Sequence, residues 1–298
     1  TEAFLEQHAT NGGDAPFFIQ CSFPDPHHPY TPPGEFWDMY DPAAVVLPAS
    51  FEQKHLPPTV AHVHEQTRLG NTAANPRMPF AVSKRHAQEI TALTYGMVSN
   101  VDRAVGQVLA KLEALGLADN TVVIFTSDHG DFMGDRGIML KGPLHYQGVA
   151  KVPFIWHEPA LHNPGRVAAA LGSSLDISST VLARAGLPQP NGMQGEDLAP
   201  VIVGDATSVR SDILIEQDTQ SANFGFSSPI RARTYINERW RLSSYLGSEF
   251  AELYDLRLDP HEMENVWGKH KGQADLLHAM VQKMTALQTY SPLPTAYA

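Results

Sequence analysis

A single cysteine, Cys21, stands in 298 residues, so no disulfide can close within the chain and the redox compartment is left open. Basic residues are scarce too: 21 Lys and Arg against 32 Asp and Glu give a formal net charge of -11. No Lys/Arg-rich block gathers them, which argues against nucleic acid or an anionic membrane as partner. An anionic substrate needs a local cationic pocket against that field, whereas metal cations are drawn by it. No apolar run is long enough to span a bilayer, and no basic-then-apolar signal segment opens the chain. It begins at Thr1 rather than Met, and we expect a preceding segment in the intact protein. What is present is a globular composition, 43% hydrophobic and 18% charged, enough for one large domain or two unequal ones.

Residues 16 to 23, PFFIQCSF, read as a short strand running into the rigid turn PDPHHPYTPP. Residues 31 to 80 read as an excursion over the surface. Ile90, Leu93, Met97, Val101, Val105, Val108, Leu112 and Leu115 recur at steps of three and four, predicting a helix that stops at Gly116. TVVIFTSDHG, from Thr121, is an apolar strand expected to be covered on both faces. VPFIW, 152 to 156, is a second strand. LDISSTVLARAG, 175 to 186, is a helix with Asp176 as expected N-cap and Gly186 as stop. Alternating strands and helices predict an α/β fold, a mostly parallel sheet with helices on both faces. After residue 205 the pattern changes to short strands (SDILIEQ, RARTYI, RWRLSSY) and a last amphipathic helix carrying Leu276, Leu277 and Met280. We therefore divide the chain at 1–205 and 206–298, the second part a small α+β subdomain.

Four residues carry chemistry: His27 in PDPHHPY, Asp128 and His129 in SDHGD, and Lys141 in MLKGPLHYQGVAKVPFIW. In open α/β sheets ligands bind at the carboxyl ends of strands, where Asp128 and His129 fall. A carboxylate and an imidazole there can hold a divalent cation. Lys141 offers a point charge to an anionic oxygen, and His27 can bond the same group or protonate a leaving oxygen.

In order, these segments resemble the sulfatase family of the alkaline-phosphatase superfamily. The match runs from about residue 16 to 200 and resumes at ELYDLRLDPHEMENV, 252 to 266. The resemblance implies an alkaline-phosphatase-like fold and the hydrolysis of sulfate esters of small molecules or saccharides. It implies a divalent cation, commonly Ca2+, and a formylglycine nucleophile made from Cys or Ser. By motif, Asp128 and His129 become metal ligands, Lys141 a sulfate contact, and His27 a sulfate contact or leaving-group acid. His28, Asp131 and His145 lie close in sequence and receive no role.

The family's nucleophile motif, C-x-P-x-R or S-x-P-x-R, should precede residue 16 and does not. Cys21 is followed by Ser22-Phe23-Pro24-Asp25 and fails the pattern; it reads as a small buried hydrophobe. Ser227-Ser228-Pro229-Ile230-Arg231 fits the letters but lies among carboxy-terminal strands, and five-residue patterns recur by chance. The expectation is a carboxy-terminal sulfatase portion without its nucleophile, inactive alone. Its strand at 121 to 127 should have one unpaired edge. Two alternatives stay open: a phosphonate or phosphate ester hydrolase of the same superfamily, and a non-catalytic cation- or sulfate-binding remnant. Compartment and oligomeric state are not readable.

Overall fold

Helices form where the sequence supplies a cap and a buried stripe. The computed structural model describes residues 1–12, 15–74, 78–161 and 165–288. Its helices are α1 (Glu2–Thr10), α2 (Pro58–Arg68), α3 (Lys84–Ala114), α4 (Gln147–Ala150), α5 (Ser174–Arg184), α6 (Ala199–Val203) and α7 (Gln273–Gln288). Ser83 opens α3 by accepting from the His86 N–H, and Gly116 at φ 67° follows its end, as the periodicity predicts. The first half of α3 is buried through Ala87, Ala92 and Met97. Gly96 is required there, since a Cβ would strike the Phe36 carbonyl. The valines of the second half, Val101, Val105 and Val108, are only half-buried.

α5 corrects the reading of Asp176. Ser173 is the N-cap, and Asp176 sits in the first turn, accepting from the Ser173 N–H at 2.7 Å in a capping box. Asp176 is fully buried and also takes the Glu196 N–H and the Arg210 guanidinium.

The strands are β1 (Phe80–Ala81), β2 (Val123–Thr126), β3 (Ile138–Met139), β4 (Phe154–His157), β5 (Asp212–Ala222), β6 (Pro229–Asn237), β7 (Trp240–Tyr245) and β8 (Ala251–Asp255). They pair as β1-β3, β2-β4 and β5-β6-β7-β8. Every ladder among the described residues is antiparallel, which corrects the expected mostly parallel sheet at these strands. A parallel return needs a long crossover, usually a helix laid against the sheet. Between β2 and β4 the chain makes an irregular excursion instead, through the short β3 and with no helix longer than the four-residue α4. It re-enters in the opposite sense, Val123 facing His157 and Thr126 facing Phe154.

Cover of β2 on both faces, as expected from its apolar residues, is also corrected: no residue of β2 or β4 is buried. β2 has one ladder neighbour among the described residues, so its other edge is unpaired, as expected. Residues 16–23 form no ladder among the described residues; prolines at 24, 26 and 29 deprive the run that follows of backbone donors. Cys21, expected inside, is exposed.

The carboxy-terminal sheet is closed on both faces. Tyr235, Leu242 and Leu253 stand opposite one another across β6, β7 and β8 and pack with Met280 of α7. On the other face Ile230, Ala232, Tyr245 and Tyr254 share a core with Phe132, Leu144 and Tyr146. Strand alternation sends neighbouring residues to these two cores. Among the described residues no helix is long and apolar enough to cross a membrane.

Candidate active site

β2 ends at Thr126, and the chain turns through Ser127, Asp128, His129 and Gly130. The turn is pressed against α4: the Gly130 N–H bonds the Val149 carbonyl at 2.8 Å, and a side chain at Gly130 would collide with the Gly148 carbonyl. Asp128 Oδ1 accepts from the His129 N–H at 2.9 Å and from the Ser127 hydroxyl at 3.3 Å. Partial burial pushes the Asp128 carboxyl up, but the His129 N–H, the His129 ring and Ser127 outweigh it and hold it below its ordinary value.

His129 Nδ1 lies 2.9 Å from the Gly130 carbonyl. A carbonyl only accepts, so Nδ1 carries a proton, and Nε2 presents its lone pair whenever the ring is neutral. That Nε2 is 3.3 Å from Asp128 Oδ2. Two acceptors at this distance repel unless a proton or a cation stands between them. An imidazole whose second nitrogen is fixed on a carbonyl is the usual arrangement of a metal-binding histidine. At calcium–ligand distances of about 2.3–2.6 Å, both atoms can reach one ion. The pair therefore fits a divalent cation, as two ligands of a larger set. Among the described residues no group of three or more His, Cys, Asp or Glu is gathered to complete it.

Lys141 leaves a loop of unfavourable backbone. Met133, Arg136 and Leu140 have φ of 43°, 53° and 71°, the left-handed region that non-glycine residues avoid at about 1–3 kcal/mol each. Asp131 Oδ1 accepts from the Met133 N–H at 2.9 Å and the Leu140 N–H at 3.0 Å. Bonds to a charged acceptor, worth about 1.5–3 kcal/mol each, offset strain of that size. Burial pushes the Asp131 carboxyl up to about 6, against the pull of those two N–H groups and of the Lys141 and His129 charges.

In the proline-rich turn the His27 and His28 rings stack with centroids 4.1 Å apart. His27 Nδ1 donates to the His28 carbonyl at 2.8 Å, which leaves Nε2 as the nitrogen without a hydrogen bond among the described residues. Burial first, then the charges of His27 and Lys141, push His28 below its ordinary value.

The structure thus sets Asp128 beside His129 and brings Lys141 within electrostatic reach of the histidine turn and of Asp131. The residues that make these connections, His28 and Asp131, are two that carry no role in the sequence reading. Only their nearness to the motifs singles them out. His145, the third, faces away: it is buried between Thr234 Oγ1 at 2.8 Å and Gln217 Oε1 at 2.9 Å. Ser227 lies exposed in the β5–β6 turn, and Arg231 is paired with Asp218 at 3.3 Å.

The sequence profile of the sulfatase family matches residues 1–187, more than half of the chain. This chain belongs to the sulfatase family. A second profile, the carboxy-terminal part of N-sulphoglucosamine sulphohydrolase, matches residues 134–290. An arylsulfatase of Clostridium perfringens is 28% identical over 276 residues, 90% of this chain and 53% of that protein. A choline-sulfatase of Rhizobium meliloti is 26% identical, covering 87% of this chain and 48% of that one. A phosphonate monoester hydrolase from Silicibacter pomeroyi superposes with a TM-score of 0.77 at 26% identity, over 97% of this chain and 60% of its own. The sulfatase chain described here thus spans about half the length of the curated relatives it matches.

Proposed function

We propose that this chain supplies part of the active site of a sulfate ester hydrolase acting on a small-molecule or saccharide sulfate. The nucleophile, expected to be a formylglycine, and the remaining metal ligands come from polypeptide outside these 298 residues. The observation that supports this best is that the Lys141 charge reaches His28 of the proline-rich turn, in a chain of net charge -11. Asp128 and His129 would hold a divalent cation, in this family commonly Ca2+, which when bound would stabilise negative charge on sulfate oxygens.

The chain's own groups divide the rest. The Lys141 ammonium donates to the sulfate oxygens and supports the charge that grows on them as the S–O ester bond breaks. His27, its Nδ1 held on the His28 carbonyl, has Nε2 available; in its protonated form it gives that proton to the leaving alcohol oxygen. A second reading keeps the site and changes the ester to a phosphonate, favoured by the 0.77 TM-score with the phosphonate monoester hydrolase.

The test uses the intact open reading frame, assayed with matched aryl sulfate and aryl phosphonate substrates. The expected result is preference for the sulfate and a loss of about 10²–10³ in kcat for Lys141→Ala with unchanged thermal stability. Preference for the phosphonate selects the second reading. Full activity in Lys141→Ala removes the site. The 298-residue chain alone is expected to bind Ca2+ weakly, seen by calorimetry, without turnover.

A further inference from the structure

Segments distant in sequence meet at one carboxylate. Asp131 Oδ1 holds the N–H groups of Met133 and Leu140, and both of those residues have left-handed backbone. Neither is glycine, so the loop between them keeps a conformation its own residues disfavour. The Phe132 N–H closes the same loop on the Leu140 carbonyl at 2.7 Å, and Lys141 departs from that closure. Asp131 also lies against Tyr30, whose hydroxyl is buried beside it without a hydrogen bond of normal geometry. Tyr30 follows His28 by two residues. The Lys141 charge acts on Asp131 and on His28 alike.

We infer that Asp131 is a positioning residue: by fixing the 133–140 loop and receiving Tyr30, it sets Lys141 against the His27–His28 turn. The inference rests on the reading of Lys141 and His27 as contacts of one anionic group. It assigns Asp131 no contact with substrate or cation; it acts through Lys141 and Tyr30. A carboxylate that merely staples a loop would affect stability and leave the lysine–histidine geometry alone. A positioning carboxylate controls that geometry, and the two roles separate by experiment.

The readout is the electrostatic coupling between Lys141 and His28, measured as a double-mutant cycle. The His28 ring is titrated by NMR in the wild-type chain, in Lys141→Ala, in Asp131→Ala and in the double variant. In the wild-type background, removing the Lys141 charge should raise the His28 pKa, since that charge acts with burial and His27 to depress it. In the Asp131→Ala background the same removal should move His28 by less than about half as much. Asp131→Asn should restore the coupling, because its amide oxygen can still accept both N–H groups. Undiminished coupling in Asp131→Ala, or no restoration by Asp131→Asn, overturns the inference. If Asp131→Ala does not fold, Tyr30→Ala replaces it with the same two outcomes for the coupling. Added inorganic sulfate tests the underlying reading separately. If it moves neither the His27 nor the His28 ring signals of the wild-type chain, the shared anion site fails, while the cycle still decides the role of Asp131.

Discussion

β2 and β4 are as apolar as the strands of the carboxy-terminal sheet, yet the two regions end in opposite states. Leu242 and Leu253 are fully buried, whereas Ile155 of β4 is 58% exposed. Composition does not separate them; the number of neighbours does. β7 is flanked by β6 and β8 and roofed by α7 on one face and the 132–149 segment on the other. β2 and β4 have only each other among the described residues, and a two-stranded ribbon cannot bury its faces by itself. A strand's sequence states what it can bury, and only its partners decide whether it does. The candidate metal ligands stand at the tip of the open pair. Lys141 is tied instead to the closed region, because its segment continues into His145 and Tyr146, both bonded into the carboxy-terminal sheet.

The closed region hangs on one buried carboxylate. Glu252 is fully buried and its carboxylate accepts three phenols: Tyr146 at 2.5 Å, Tyr245 at 2.8 Å and Tyr254 at 3.0 Å. Burial and the Glu252 charge push all three phenols up, so they remain protonated donors. Arg136 and Arg241 lie over two of these rings, Tyr146 and Tyr254, with Arg136 at 3.6 Å from the Tyr146 centroid. Glu252→Ala strands three buried hydroxyls and should cost more than about 3 kcal/mol in urea denaturation. A loss below about 1 kcal/mol would mean that the three phenols are not held by this carboxylate.

A matched pair of truncations sharpens the contrast. Leu242→Ala empties a site packed by Tyr235, Leu253 and Met280 and should cost about 2–5 kcal/mol. Ile155→Ala removes a side chain that is mostly in water and should stay within about 0.5 kcal/mol. Equal costs at the two positions would show that β4 is covered in solution.

How much of this was legible follows the same division. The α3 periodicity, its Gly116 stop and the strand leading to Asp128 are local patterns, and they read correctly. The antiparallel return of β4 was not legible, because strand direction depends on how a loop crosses space rather than on the strand's own residues. Asp176 read as a cap because its nearest neighbours allow it; its buried partner Arg210 lies 34 positions away. Asp131, His28 and Glu252 were missed for the same reason. Each acquires its role from groups on other segments, and a polar residue's sequence neighbourhood does not record such partners.

The link between the two regions should carry a small pH dependence of its own. Arg241 donates to the Ser243 hydroxyl at 2.7 Å, which lies 2.8 Å from the Thr234 hydroxyl, which lies 2.8 Å from His145 Nδ1. The Gln217 carbonyl oxygen only accepts, so Nε2 donates to it at 2.9 Å, Nδ1 accepts from the Thr234 hydroxyl, and Thr234 in turn accepts from Ser243. A ring fixed in this way has no place for a second proton. Burial, with Arg241 adding, accordingly pushes His145 below its ordinary value, against the opposing pull of Gln217 and Glu252. The sign follows: on acidification the unfolded chain takes up this proton first. The stabilisation is complete above the unfolded value of about 6.5 and is lost as the pH falls from there toward the depressed folded value. Asp131 works in the opposite direction, since its carboxyl is raised to about 6 and favours the fold at low pH. The slope of wild-type stability alone therefore does not isolate His145, but its difference from His145→Gln does. Urea denaturation at pH 7.5 and 5.5 should show the wild-type advantage over His145→Gln shrinking at the lower pH. An advantage that grows on acidification would mean that His145 is charged in the fold, and that the link from the Lys141 segment to the carboxy-terminal sheet is an ion pair rather than a neutral relay.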